Sequence, residues 1–203
     1  MKLEQLLSPL TLDEFCHQYW GEKIYFNTRI QSEIKNLVKW EDIQKLLRKK
    51  EFYDQVTVLL RTNSFTDFIH PRSYDEVMRA IDSGLTLQIR SLHNVLDDDS
   101  NLKIMLNSLE NAILHPINSM TLFYCLPIAK ATAIHKDVSE IFSFQISGNK
   151  KWWINNTKNL SDKMCFEEGE ISDWDEHILT AGKMMYLPSY LPHQVKCVDE
   201  PSL

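Results

Sequence analysis

From residue 119 onward the chain contains a close succession of short strand-like segments, and this succession limits the fold more than any other feature of the sequence. The segments are 120–127, 141–147, 150–155, 183–188 and 193–198. Short strands at such spacing predict a sandwich or barrel, because each strand can cover its apolar face only against other strands. The first half shows mainly helical patterns, so we expect an α+β chain whose β-barrel carries the chemistry.

Two pairs of residues in the first half have the spacing of a helix capping box, in which a hydroxyl and a carboxylate satisfy the first backbone N–H groups. They are Thr11 with Glu14, and Ser73 with Glu76. Further helical patterns cover 40–50 and 98–114, and strand-like patterns cover 55–61 and 85–90. We predict a helical N-terminal region at 1–118, with some strands that join the barrel sheets, and a barrel core at 119–203.

The net charge of −6 argues against direct nucleic-acid binding, which needs a basic surface to displace counterions. That charge suits a basic polypeptide substrate, and it is also an ordinary charge for solubility. The four cysteines are widely spaced without a Cys-x-x-Cys pair, which favours reduced thiols. No apolar run has the length of a membrane span or opens the chain as a signal peptide, so we expect a cytoplasmic protein without membrane contact.

His135 and Asp137 offer an imidazole and a carboxylate two residues apart. On an extended strand such residues project to the same face, so both can reach one ion. A distant second histidine would complete a facial triad of two histidines and one carboxylate, which leaves positions open on Fe(II). Alone this signal is weak, because a chain with 7 histidines and 28 acidic residues is expected to contain such a pair by chance.

The context of the pair is more specific than the pair itself. The motif residues, in chain order, are His135, Asp137, Phe142, Gln145, Gly148, Lys150, Trp152, Tyr186, Pro188 and His193. Their order resembles the cupin-4 branch of the JmjC oxygenases, which includes the ribosomal oxygenases. The segment 15–23 resembles the opening helix of the same family, so the resemblance extends over nearly the whole chain.

The resemblance implies a double-stranded β-helix, the jelly-roll barrel of cupin and JmjC proteins, preceded and flanked by helices. It implies that His135, Asp137 and His193 bind Fe(II). It also implies that Lys150 binds the distal carboxylate of 2-oxoglutarate, which the enzyme consumes together with O2. Strand alternation sends the neighbouring Lys151 to the opposite face, so only one of the two lysines can point inward.

Two threonines are further candidates for contact with 2-oxoglutarate. Thr132 stands three residues before the first proposed ligand, and Thr121 stands where the ribosomal oxygenases usually have Asn. Each is equally well explained as an ordinary strand threonine, and the sequence does not choose between them. The segment 125–131 replaces a glycine-rich stretch of the family, so we expect a different loop at the barrel mouth.

The implied function is hydroxylation of a protein or peptide side chain, with a ribosomal protein as the favoured substrate. Three alternatives stay open: hydroxylation of a peptide or small-molecule natural product, a cupin that holds metal without using 2-oxoglutarate, and a binding module without activity. Lys150 distinguishes the metal-holding cupin from the oxygenase, because a cupin that does not use the cosubstrate has no need of it.

Only 199–203 follow the strand that begins at His193, whereas the family continues with a last barrel strand and often with a dimerisation region and a winged-helix domain. An uncovered strand edge invites pairing with another chain. We therefore expect either that the natural protein continues past Leu203, which we favour, or that the N-terminal region or a neighbouring subunit, as in a homodimer, covers the edge.

Overall fold

The computed structural model describes residues 3–27, 29–61, 66–114, 116–157 and 161–203. Its α-helices are α1 (Leu3–Leu7), α2 (Leu12–Gln18), α3 (Ser32–Lys35), α4 (Trp40–Leu46), α5 (Tyr74–Asp82) and α6 (Asn101–Ile113), with 3-10 helices at Lys50–Gln55 and Leu92–Asn94. Its strands are β1 (Tyr25–Phe26), β2 (Val56–Arg61), β3 (Thr66–Ile69), β4 (Thr86–Ile89), β5 (Leu122–Tyr124), β6 (Ile134–His135), β7 (Ile141–Phe144), β8 (Asn149–Ile154), β9 (Cys165–Phe166), β10 (Asp175–Thr180), β11 (Met184–Leu187) and β12 (His193–Cys197). None of the helices in these described ranges is long and apolar enough to cross a membrane.

The two predicted capping boxes differ in the structure. The box at α2 is complete, because the Thr11 hydroxyl accepts from Glu14 N and the Glu14 carboxylate accepts from Thr11 N at 2.8 Å. At α5 only one half forms: the Ser73 hydroxyl accepts from Glu76 N, while the Glu76 carboxylate accepts from Arg72 N at 2.7 Å. The carboxylate therefore satisfies a donor one residue before the expected one.

The strands form a four-stranded sheet in the order β3-β2-β4-β5 and a three-stranded sheet in the order β1-β11-β7. The last residues of the chain lie between these sheets. Ser202 forms an antiparallel bridge with Cys125, next to β5, and Leu203 N donates to Ser147 O, beyond β7, at 3.0 Å. Buried Gln145 reinforces the connection, because its amide nitrogen donates to Ser202 Oγ at 2.7 Å.

Gly148 lies in the turn between β7 and β8 and needs to be glycine for two reasons. Its φ is +67°, in the left-handed region that side chains disfavour. A Cβ at this position would lie 2.4 Å from Pro201 O, which is closer than atoms can approach. The turn at Gly148 thus also makes room for the C-terminal residues. That the natural protein continues past Leu203 stays a prediction.

A third sheet, in the order β10-β8-β12-β6-β9, packs against the inner face of the three-stranded sheet. Its Trp152, Ile154 and Leu179 share one buried cluster with Met185 and Leu187 of β11. The neighbouring residues of β11, Met184 and Tyr186, pack instead with the helices on the outer face. A strand that is covered on both faces is apolar throughout, which explains the run Met-Met-Tyr-Leu.

The strands that the sequence predicted are present, with ends one to three residues shorter in most cases. The strands that the sequence analysis missed are β1, β3, β6, β9 and β10. Four of these have only two to four residues and carry little periodic signal. The fifth, β10, begins with Asp-Glu-His, which strand patterns disfavour. Strands β2 and β4, from the predicted N-terminal region, hydrogen-bond in one sheet with β5, from the predicted barrel core.

Candidate metal centre

Three side chains converge at one end of the five-stranded sheet. His135 and His193 face each other across the β6–β12 pair, and Asp137 follows β6 by two residues. The Asp137 carboxylate lies 3.5 Å from His193 Nε2 and 3.9 Å from His135 Nε2. One ligand atom from each residue lies within 4.8 Å of the others, so the structure brings together the three residues that the sequence singled out.

The backbone fixes which nitrogen of each ring faces the centre. His135 Nδ1 bonds to Ala133 O at 2.8 Å, and His193 Nδ1 bonds to Leu191 O at 3.0 Å. Because a carbonyl oxygen can only accept, both Nδ1 atoms carry the proton, and each Nε2 presents a lone pair toward the carboxylate. Such outer hydrogen bonds orient the rings of metal-binding histidines.

Burial differs sharply among the three side chains. The His193 side chain is 3% exposed, whereas those of His135 and Asp137 are 31% and 44% exposed. Desolvation, with the neighbouring His135, lowers the pKa of His193 to about 3, which keeps its imidazole neutral and able to donate a lone pair. The centre is therefore closed on the His193 side and open to solvent on the other.

The loop before His193 also holds Asp137. Tyr190 N donates to Asp137 O at 2.8 Å, and Tyr190 has a φ of +64°. A non-glycine residue in this left-handed conformation is uncommon and persists only where its surroundings enforce it. The loop between Pro188 and Pro192 thus positions Asp137 and His193 together.

The two adjacent lysines on β8 point to opposite faces. Lys150 points inward: its Nζ donates to Phe123 O of β5 at 3.0 Å, and burial lowers the pKa of its ammonium. Lys151 points outward and pairs with Glu176 at 2.8 Å. Lys150 lies opposite Cys197, four residues along β12 from His193, so it occupies the same inward face of the sheet at a distance from the triad.

The candidate threonines have different surroundings. The Thr132 hydroxyl accepts from Val195 N at 3.0 Å, which joins the segment before the triad to β12, and its hydroxyl proton remains available for a further acceptor. Thr121 lies one residue before β5, and its hydroxyl is 3.4 Å from that of Ser119. The structure places Thr132 beside the strand of His193, whereas it gives Thr121 no described contact with the triad or with Lys150.

Two groups that shape the centre have contacts that the sequence did not indicate. Trp152 stacks on His193 with ring centroids 5.7 Å apart, and the motif contained this residue without indicating the contact. Arg61 donates through Nη1 to Thr132 O and forms an ion pair with Glu168 at 3.1 Å. Alternation along β2 could have placed Arg61 on the inward face, but no local pattern identified its partners.

The donor set fits a divalent transition metal. Cis ligand atoms around an ion with bonds of about 2.0–2.2 Å lie roughly 3 Å apart. The carboxylate and imidazole atoms, 3.5 Å and 3.9 Å apart, therefore need only small side-chain movements to reach one ion. Two neutral imidazoles and one carboxylate, open on one side, form the facial arrangement typical of non-haem Fe(II) oxygenases.

A sequence model described as the JmjC domain matches residues 101–203, a range that contains the triad and Lys150. Among curated proteins, the chain is similar to the "Bifunctional lysine-specific demethylase and histidyl-hydroxylase NO66" of Drosophila yakuba, at 22% identity over 98% of this chain and 30% of that protein. The protein of the same description in Dictyostelium discoideum is 24% identical over 95% of this chain and 39% of that protein. The chain therefore spans about a third of the length of these relatives.

Solved structures of the ribosomal oxygenase YcfD from Escherichia coli have the same fold. One superposes with a TM-score of 0.65 at 14% identity, and covers 96% of this chain and 49% of that one. Another, of YcfD in complex with cobalt and 2-oxoglutarate, gives a TM-score of 0.65 over 96% of this chain and 50% of that one. The barrel fold expected from the sequence is confirmed.

Proposed function

Because this chain belongs to the JmjC domain family, we propose that it is an Fe(II)- and 2-oxoglutarate-dependent oxygenase that hydroxylates a protein or peptide side chain. The observation that carries this proposal is the shared inward face of one sheet, on which the His135–Asp137–His193 cluster lies at one end and Lys150 farther along. A metal-holding cupin without a cosubstrate would gain nothing from a partly buried ammonium, which is costly to desolvate.

In this proposal His135 Nε2, His193 Nε2 and an Asp137 oxygen hold Fe(II). When bound, iron and 2-oxoglutarate together supply the oxidation of a substrate C–H bond by O2. Lys150 binds the distal carboxylate of 2-oxoglutarate, where a cation in a partly dry barrel attracts an anion strongly. Thr132, with its available hydroxyl proton, is the better placed of the two threonines for a further contact.

The chain's own residues also provide order and exclusion of water. The Nδ1 hydrogen bonds to Ala133 O and Leu191 O hold the imidazole rings before any ligand binds. Burial of His193 and the stacked Trp152 closes one side of the centre to solvent, and a substrate side chain enters from the exposed side of His135 and Asp137.

We further propose that the substrate is a basic polypeptide, with a ribosomal protein as the first choice. The names of the relatives, a histidyl-hydroxylase and a ribosomal oxygenase, support a protein substrate. The net charge of −6 suits a basic partner. Cys125 and Cys197 pack together as free thiols, which supports a reducing compartment such as the cytoplasm.

The test is turnover with total ribosomal proteins under Fe(II), 2-oxoglutarate and air. We expect succinate formation, together with one ribosomal peptide that gains the mass of one oxygen atom, and neither product with Asp137→Ala. Loss of one methylene from a lysine peptide would indicate demethylation instead. Metal binding without 2-oxoglutarate binding would identify a metal-holding cupin and refute the proposal.

A further inference from the structure

Trp152 carries a buried hydrogen-bond donor without an acceptor. The residue is 7% exposed, and its indole Nε1 is fully buried and has no hydrogen-bond partner among the residues that the structure describes. The adjacent Trp153 points to the outer face, where its Nε1 donates to Glu176 at 2.8 Å. Buried polar groups are nearly always paired in folded proteins, so the Trp152 donor requires an explanation.

The position of Trp152 indicates which ligand could satisfy this donor. On β8 it lies between Lys150 and Ile154, and Ile154 is the residue paired with His193. Strand alternation puts all three β8 side chains on the inward face, and the Trp152 ring stacks on that of His193 at an interplanar angle of 29°. Trp152 therefore lies between the candidate metal centre and the candidate carboxylate-binding lysine.

Trp152 and Lys150 offer only hydrogen-bond donors to this face. An indole N–H and a lysine ammonium both donate hydrogen bonds and accept none, and a metal ion also attracts oxygen atoms. A ligand that spans the three must present acceptor oxygens along its length, as a dicarboxylate with a keto group does. We propose that Trp152 Nε1 donates to an oxygen of bound 2-oxoglutarate, and this rests on the proposed function of the centre.

A second arrangement, in which the Trp152 donor is satisfied near His177, has to be distinguished from a hydrogen bond to 2-oxoglutarate. His177 lies directly opposite Trp152 on β10, and its Nε2 is also buried without a partner. The His177 ring packs on Phe26, 4.5 Å between centroids, on the side of Trp152 away from β12. A small polar molecule shared between the two rings would satisfy both nitrogens without any contact to the cosubstrate.

The experiment compares Trp152→Phe with Trp153→Phe, its neighbour on the outer face. Phenylalanine keeps a ring to stack on His193 and removes the donor together with the smaller ring of the indole. Calorimetric titration of 2-oxoglutarate into the Mn(II)-loaded chain without oxygen is expected to give an affinity roughly tenfold to a hundredfold lower for Trp152→Phe, as for lost hydrogen bonds to charged groups. The Mn(II) affinity of both variants, and the 2-oxoglutarate affinity of Trp153→Phe, are expected to match the unmodified chain.

A second measurement needs no change at Trp152. In the Zn(II)-loaded chain with 15N-labelled indoles, 2-oxoglutarate is expected to shift the Trp152 N–H proton downfield and to leave that of Trp153 in place. Single substitutions of the other four tryptophans assign the signals.

Equal 2-oxoglutarate affinity in both variants, with an unmoved Trp152 signal, would overturn the inference in favour of the His177 arrangement. Parallel loss of Mn(II) affinity in Trp152→Phe would overturn it too, since the indole would then act by packing on His193. If the unmodified chain binds Mn(II) but no 2-oxoglutarate, the proposed function fails, and the inference fails with it.

Discussion

Replacement of Lys150 with methionine should stabilise the unliganded chain and weaken its binding of 2-oxoglutarate. Burial lowers the pKa of the Lys150 ammonium, because the folded protein disfavours its charge. Methionine keeps most of the apolar side chain and removes that charge. The same group would thus destabilise the fold and provide the affinity for the cosubstrate.

The size of the stability gain follows from two opposing contributions. Replacing buried charged groups with apolar residues of similar volume often stabilises a protein by about 1–4 kcal/mol. The lost hydrogen bond from Nζ to Phe123 O, at 3.0 Å, offsets roughly 1 kcal/mol of that gain. We expect a net gain of up to about 3 kcal/mol near neutral pH, and each kcal/mol should raise Tm by about 2–4 °C.

The gain should depend on pH in a defined direction. The folded pKa of Lys150 is lowered from its ordinary value of 10.5, so the unfolded chain binds more protons between the two values. The unmodified chain therefore becomes more stable as pH rises through this window. The advantage of Lys150→Met should be largest below the folded pKa and shrink above it, as measured by urea unfolding across alkaline pH.

The loss of cosubstrate affinity is measured by titration of 2-oxoglutarate into the Mn(II)-loaded variants. Removing one partner of a buried charged pair costs about 2–5 kcal/mol, or at least roughly thirtyfold in affinity. Lys151→Met is the matched control. Its ion pair with Glu176 is exposed to solvent and contributes little, and the 2-oxoglutarate affinity of this variant should be unchanged.

Two results would refute this reasoning. Loss of 2-oxoglutarate binding in Lys151→Met but not in Lys150→Met would mean that the wrong lysine was assigned to the inward face. A Lys150→Met chain less stable than the parent at every pH would mean that the ammonium stabilises the unliganded fold.

Three further predictions address the turn, the centre and the threonine. Gly148→Ala should lower the free energy of unfolding by about 1–3 kcal/mol more than Gly21→Ala. Gly21 has the same φ of +67°, but a Cβ there would meet open space. Equal losses in urea unfolding would contradict the clash at Gly148. Asp137→Asn should weaken Co(II) binding by calorimetry at least about a hundredfold, and an unchanged affinity would remove this residue from the centre. Thr132→Val should cost about 1–3 kcal/mol in thermal unfolding by leaving Val195 N unpaired, whereas Thr132→Ser should be nearly neutral.

The features that the sequence predicted well are those set by local periodicity. Alternation along β8 correctly separated Lys150 from Lys151, and the capping box at Thr11 formed as its spacing required. The JmjC family and its barrel fold were predicted from motif residues whose order is improbable by chance, and both are confirmed.

What the sequence did not predict depends on contacts between distant segments. The hydrogen bond from Tyr190 N to Asp137 O joins residues 53 positions apart, and its geometry rests on a left-handed tyrosine that no pattern indicates. Arg61 reaches Thr132 O from a strand 71 residues away. Glu76 caps Arg72 N because the local backbone direction, which spacing alone does not determine, brings that donor closer.

The placement of the candidate ligands on one sheet has a mechanical consequence. His135, His193, Trp152 and Lys150 all belong to three adjacent strands, whose backbone ladders hold neighbours about 4.7–4.9 Å apart. The opposing sheet contributes side-chain packing to the space between them but no member of the triad. A small separation of the five-stranded sheet from the three-stranded sheet would widen the path for a ligand and leave the spacing among these four residues unchanged. Access to the centre and the integrity of the centre are therefore separable properties of this fold.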